Sequence, residues 1–191
     1  LVEKEFFQEL YKSEVFYDDI SKKQLAPKMV HAARADEVKG VYQHKLFDKV
    51  PLKECWDKTG ARPVSTRWVD VNKGDATKPK YRSRLVAKEI NRQKREELFA
   101  ATPPLEAIKA LLSLAVTEGI GYNKGNKQGG MRIDIIDIKR AYFHAPAIRE
   151  VYIELPDDEK EEGMCGMLVK SMYGTRDAPA AWQKMLAGVM G

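Results

Sequence analysis

Residues 134–146 read DIIDIKRAYFHAP, and how this stretch is read decides what kind of domain the chain forms. Two aspartates, Asp134 and Asp137, stand three apart in a run of isoleucines, with a basic pair and two aromatics directly after them. A carboxylate among apolar neighbours is costly unless it is hydrogen-bonded, paired or bound to a metal. The apolar run predicts a strand over 131–138. In a regular strand, residues three apart point to opposite faces, so these two aspartates do not grip one ion together unless a bulge intervenes. Asp137 shares its parity with Ile133 and Ile135 and lies where the strand gives way to KRAYF. There it is either a structural or surface aspartate, or an oxygen ligand for a hard cation such as Mg²⁺.

The flanking residues add a second consideration. A site that polymerises nucleotides needs a carboxylate for metal, cations or N–H groups for a triphosphate, and an aromatic under the sugar. Asp137, the Lys139–Arg140 pair and Tyr142–Phe143 supply all three within six residues of the aspartate. Plain core packing is the alternative for the aromatics.

Composition sets the limits. The 191 residues suit one domain of ordinary size, and 43% hydrophobic with 32% charged residues can build a core. A net charge of +5 leans towards a polyanionic partner without deciding it. Cys55 and Cys165 are isolated thiols with no CxxC spacing. They point to a reducing, intracellular compartment and away from a zinc cluster or a disulfide framework. No apolar run is long enough for a membrane span, and LVEKEFFQEL at the start is no signal peptide. The absence of an initiator methionine suggests an excerpt of something longer.

Along the chain, residues 3–47 read as helical with a break near Pro27, a lead-in segment to a main domain over 48–191. Residues 66–88 read as a β-hairpin with a long basic tip at NKGDATKPK. On its second strand Arg82 and Arg84 share a face with Lys80 and Lys88, four cations that repel one another unless an anion faces them. A solvated hairpin face is the alternative. KEINRQKREE reads as a solvated helix face. ATPPLEAIKALLSLAVTEG is a helix capped by Thr102, with Glu106 near its positive end and Gly119 as its stop. Its stripe of Leu105, Ile108, Leu111, Leu112 and Ala115 is expected to be buried. Further strands are expected at 151–155 and 166–171. Tyr173–Gly174 then opens a turn into a last helix, with Asp177 and Pro179 at its start and Trp182 on it. Gly174 lets the backbone approach a ligand closely, and Arg176 can meet a phosphate. The mixture of strands and helices without strict alternation is α+β.

In this order the stretches resemble the reverse transcriptase of copia-type (Ty1/copia) long-terminal-repeat retrotransposons. TRWVDVNKG is similar to TKWVFKVK, and YRSRLVAK to YKARLVAKG, with Glu89 where the pattern has glycine. FAATPPLEAIKALLSLA resembles the FSPV-x-R-x-x-S-I-R-x-LLALA helix. DIKRAYFHA resembles DVKTAFLNG, with Arg140 for Thr and His144 for Asn. VYIELPDD resembles IYMEQPEG, and LVKSMYGTRDAPAAW resembles LKKSLYGLKQAPRQW. The match is colinear over about residues 46–185.

The resemblance implies the fingers and part of the palm of an RNA-directed DNA polymerase, with a mixed or antiparallel sheet backed by helices. It implies Asp137 as the catalytic, metal-binding carboxylate, with the backbone carbonyl of Ile138 beside it and Asp134 outside the motif. It places Tyr142 at the steric gate against ribonucleotides, and Arg82 or Arg84 at the incoming triphosphate. Tyr173 and Gly174 line the nucleotide pocket, and Lys80, Lys88 and Arg176 lie near nucleic acid. Two Mg²⁺ ions, a template-primer, a deoxynucleoside triphosphate and the rest of a polyprotein (remaining palm, thumb, RNase H) are the implied cofactors and partners. The family takes further carboxylates from a later Tyr-x-Asp-Asp hairpin, which does not occur before Gly191, so the isolated chain is expected to be inactive. Tyr17-Asp18-Asp19 precedes the first motif and is a decoy, and LPDDE at 155–159 is a turn. The rival reading is a non-catalytic relic or domesticated fragment that binds RNA or DNA through its basic face.

Overall fold

The computed structural model describes residues 14–89, 103–125 and 130–190. The chain divides into two units, Leu1–Phe99 with Arg140–Gly191, and Ala100–Lys139.

The first unit is built on the expected hairpin. Strand β4 (Thr66–Asn72) pairs antiparallel with β5 (Tyr81–Ala87) in unbroken register from Thr66–Ala87 to Asn72–Tyr81. Its tip is ordered by two side chains. Asn72 Oδ1 accepts from the N–H groups of Gly74 and Lys80, and Asp75 Oδ1 accepts from those of Thr77 and Lys78. Alternation sends Ser83, Leu85 and Ala87 inward and leaves Arg82 and Arg84 on the other face.

Helix α1 (Pro27–Gln43) starts on a proline and packs on β5. An ion pair fastens it there. Asp70, buried on β4, accepts from Arg34 at 2.6 Å and from Ser83 Oγ at 2.6 Å. The Arg34 guanidinium also lies over the rings of Phe16 and Trp68. A second, antiparallel sheet runs in the order β3 (Phe47–Pro51), β7 (Met164–Leu168), β6 (Tyr152–Ile153). Helix α2 (Leu52–Thr59) follows β3, and α5 (Ala178–Met190) closes the unit. One core of Val41, Leu46, Leu85, Phe143, Ile153, Leu168 and Met172 joins helix, hairpin and sheet. Cys55 and Cys165 are free and buried beside Tyr152, and burial pushes the Cys165 thiol up to about 11.

Three expectations for this unit change. Of the expected helix over 3–47, residues 1–13 lie outside the described residues, and the helix is confined to α1. Phe16–Tyr17 and Gln24–Leu25 instead pair as β1 and β2, and Phe47 belongs to β3. The segment FYDDIS is therefore strand and turn, because its aspartates serve backbone N–H groups and not a helix. Asp18, 2% exposed, accepts from Ile20 and Ser21 through Oδ1 and from Asn72 through Oδ2. Asp19 accepts from the Asp70 N–H and from Arg67. The expected strands at 151–155 and 166–171 are present but shifted, to Tyr152–Ile153 and Met164–Leu168. LPDDE forms a 3-10 turn over Asp157–Glu159 after β6, as expected.

In the second unit, α3 (Leu105–Ala115) forms with Glu106 in its first turn. It ends at Val116 instead of continuing to Gly119, and Thr102 lies outside the described residues, as does most of KEINRQKREE. Its apolar stripe is not buried: Leu105, Ile108, Leu111 and Leu112 are all exposed, and Ala115 is half-buried. The expected strand over 131–138 has no regular secondary structure and no ladder partner among the described residues, and Ile135 is 95% exposed. A strand is defined by pairing, and apolar alternation alone does not supply the partner.

The three N–H groups on Asp18 hold its carboxyl down to about 2. A folded value below the unfolded one gives stability that is present above the ordinary carboxylate range and lost as pH falls through the folded value. Stability should therefore drop between about pH 4 and pH 2. Asp18→Asn should flatten that part of a plot of denaturation midpoint against pH.

Candidate functional site

In the first unit, four of the residues expected around a nucleotide come together. The turn at Tyr173–Gly174 docks against the end of β5, where the Ala87 N–H donates to the Tyr173 carbonyl at 2.8 Å. Gly174 makes this approach possible. Its φ is 85°, and a Cβ there would stand 2.0 Å from the Ala87 carbonyl oxygen. The close approach that this glycine admits is thus to the hairpin backbone, where a ligand was expected.

With the turn fixed, the Arg84 guanidinium lies 4.7 Å from the centroid of the Tyr173 ring. Tyr142, on the single turn α4 (Ala141–His144), meets the same ring at 5.0 Å, and Phe143 meets it from the core at 5.6 Å. Burial raises the Tyr173 hydroxyl above its ordinary value against the opposing pull of Arg84 and Arg82. Arg84 Nε is buried without a hydrogen-bond partner among the described residues. Arg82 is exposed on the same strand face, and Lys80 and Lys88, beyond the two ends of β5, are exposed as well. Arg176 is half-buried, and its N–H donates to Glu89. Chemically, this is a cationic and aromatic surface suited to phosphate and a flat ring.

In the second unit, Asp137 and Ile138 are exposed. Asp134 pairs with Arg132 at 3.1 Å on the surface, as expected for the aspartate outside the motif. The parity argument that split the two aspartates lapses, since no regular strand forms. The Asp137 carboxylate and the Ile138 carbonyl are hard oxygen donors of the kind Mg²⁺ takes, but two of them make only part of its shell of about six. No group of three or more metal-ligating side chains occurs among the described residues.

A sequence profile of the reverse transcriptase (RNA-dependent DNA polymerase) family matches residues 55–191, well over half of the chain. The chain belongs to that family. It is 27% identical over 158 residues to the Retrovirus-related Pol polyprotein from transposon TNT 1-94 of Nicotiana tabacum. That alignment takes in 78% of this chain and 11% of the polyprotein, so the chain spans about a tenth of its relative's length. No solved structure matches. The copia-type resemblance holds, and helices with antiparallel sheet are compatible with a reverse transcriptase domain.

Two positions where this chain departs from the family pattern are bound into ion-pair networks that sequence reasoning missed. Arg140 donates through Nε to Glu37 at 2.8 Å and through NH2 to the Asp36 carboxylate at 2.8 Å. Glu89 accepts from Arg149, which also reaches Asp177 at 2.9 Å, so the end of β5 is tied to the start of α5. The Asp177 carboxylate, expected to cap α5, is thereby engaged by an arginine, and its backbone carbonyl receives the Ala181 N–H. The opposite charges of the departing residues and their partners were the available signal. A cavity of about 940 Å³ between the hairpin and the second sheet, lined by Trp56, Arg62, Trp68 and Leu155, takes in none of the expected site residues.

Gly174→Ala should cost more than about 1 kcal/mol, from left-handed strain and the clash with Ala87. A lowered denaturant midpoint would register it.

Proposed function

We propose that this chain is the fingers and the first part of the palm of an RNA-directed DNA polymerase, carried in a retrotransposon polyprotein. The observation that carries the reading is the cluster of Arg84, Tyr173 and Tyr142 in a chain of the reverse transcriptase family. In this reading residues 1–47 lead into a domain that starts near residue 48. Arg84, with Arg82 beside it on the same strand face, receives the triphosphate. Tyr142 crowds the sugar 2′ position and Tyr173 with Gly174 closes the pocket. Lys80, Lys88 and Arg176 face nucleic acid, a contribution that salt weakens.

Asp137 and the carbonyl of Ile138 would hold divalent metal, Mg²⁺, with further carboxylates supplied from elsewhere in the polyprotein. When bound, a pair of such ions activates the primer 3′-hydroxyl and stabilises charge developing at phosphorus. The residues of this chain align the deoxynucleotide, discriminate its sugar and neutralise its phosphates. Because one carboxylate and one carbonyl leave the metal shell incomplete, the 191-residue chain alone does not extend a primer.

The alternative is a non-catalytic fragment that binds RNA or DNA through the exposed cations flanking and lining β5. One pair of measurements separates the readings. In a complete polymerase carrying this chain, Asp137→Ala should abolish primer extension with Mg²⁺ while template-primer binding stays within a few-fold. Extension that survives the substitution would sink the polymerase reading. Extension by the isolated chain would refute the claim that it is incomplete.

A further inference from the structure

Arg140 is buried to 8% exposure and adopts a left-handed backbone, φ 54° and ψ 46°, rare for a residue with a side chain. It stands directly before α4, and its carbonyl accepts the Phe143 N–H that closes the turn. Its side chain crosses to α1 and is fixed at both ends, by Glu37 Oε2 through Nε and by the carbonyl and carboxylate of Asp36 through NH2. The path is cut for it. A Cβ on Gly40 would lie 2.3 Å from Arg140 Nε and 2.6 Å from Cζ.

The anchor of this clamp bears on the tyrosine pair through its charge. Glu37, with its side chain 5% exposed, spends one oxygen on Arg140 and leaves Oε1 buried without a partner among the described residues. Its charge acts on Tyr173 and helps raise that hydroxyl. Arg140 therefore acts on the pair through the backbone turn that carries Tyr142, and its anchor Glu37 carries a charge that bears on Tyr173.

We propose that Arg140, together with Glu37 and Gly40, is the positioning device that holds Tyr142 against Tyr173 and so sets how strictly the pocket selects the sugar. The inference rests on the polymerase reading above. Arg140 touches no nucleotide in this scheme; it acts through Tyr142 and Glu37. A buried ion pair of this kind is a poor source of net stability, since both charges must be desolvated, but it fixes one geometry closely.

The test uses the complete polymerase and compares kcat/KM for a deoxynucleotide with that for the matching ribonucleotide. Arg140→Gly keeps the left-handed backbone without strain and removes the guanidinium, Glu37→Gln weakens its anchor, and Gly40→Ala pushes it aside. Each should lower the deoxy-to-ribo ratio, by about tenfold for Arg140→Gly. Arg140→Lys should recover part of it. Cys55→Ala, a truncation in the separate cluster with Tyr152 and Cys165, is the control: at matched loss of thermal stability it should leave the ratio where it was. Ratios unchanged in Arg140→Gly and Glu37→Gln, with only stability reduced, would overturn the proposal. Should Arg140→Gly fail to fold, Arg140→Lys and Glu37→Gln read the same ratio. Failure of the underlying reading shows separately, as extension that persists in Asp137→Ala.

Discussion

The hydrogen bond from the Ala87 N–H to the Tyr173 carbonyl is the constraint on which the rest of the site depends. It joins two stretches nearly ninety residues apart, and it forms only because Gly174 has no side chain to strike the strand. Once the turn is seated, the outward parity of β5 brings Arg84 over Tyr173, and the core brings Phe143 and Tyr142 to the same ring. Remove the approach and the cation, the two tyrosines and the turn have no shared position. The ion pair of Arg149 with Glu89 and Asp177 reinforces the same junction just beyond it on each partner, past Ala87 on one side and past Gly174 on the other.

Much of this was legible where the signal is local. The hairpin follows from alternating residues and from side chains that organise their own turn, Asn72 and Asp75, so its boundaries came out nearly as expected. Helix α1 announces itself with Pro27. What was not legible depends on partners far away in sequence. The decoy aspartates look available on paper, yet Asp18 and Asp19 are occupied by the N–H groups of Asn72 and Asp70, more than fifty positions on. The apolar run at 131–138 has strand composition, and composition cannot furnish a neighbouring strand. The stripe on α3 was correctly helical, but its burial depends on what stands opposite it.

The site residues divide in the same way. Asp137, Tyr142, Arg84 and Tyr173 were found through motifs that resemble a known family, and three of the four meet around one ring. Arg140 and Glu89 had been noticed only as departures from the family pattern, without consequence for a metal. Each proves to be one end of a buried or half-buried charge pair whose other end, Glu37 or Arg149, carries no motif. An isolated charge that departs from a pattern and is destined for the interior has to find its opposite, because an unpaired one would cost several kcal/mol.

The fit between Gly40 and Arg140 also constrains how this sequence can drift. With the guanidinium on its present path, position 40 can carry no side chain, and a side chain at 40 displaces the guanidinium from that path. Position 40 can therefore grow without cost to the clamp only after position 140 has shrunk. Two sites a hundred residues apart should then vary as a pair among close kin of this chain, glycine with arginine on one branch and neither on the other.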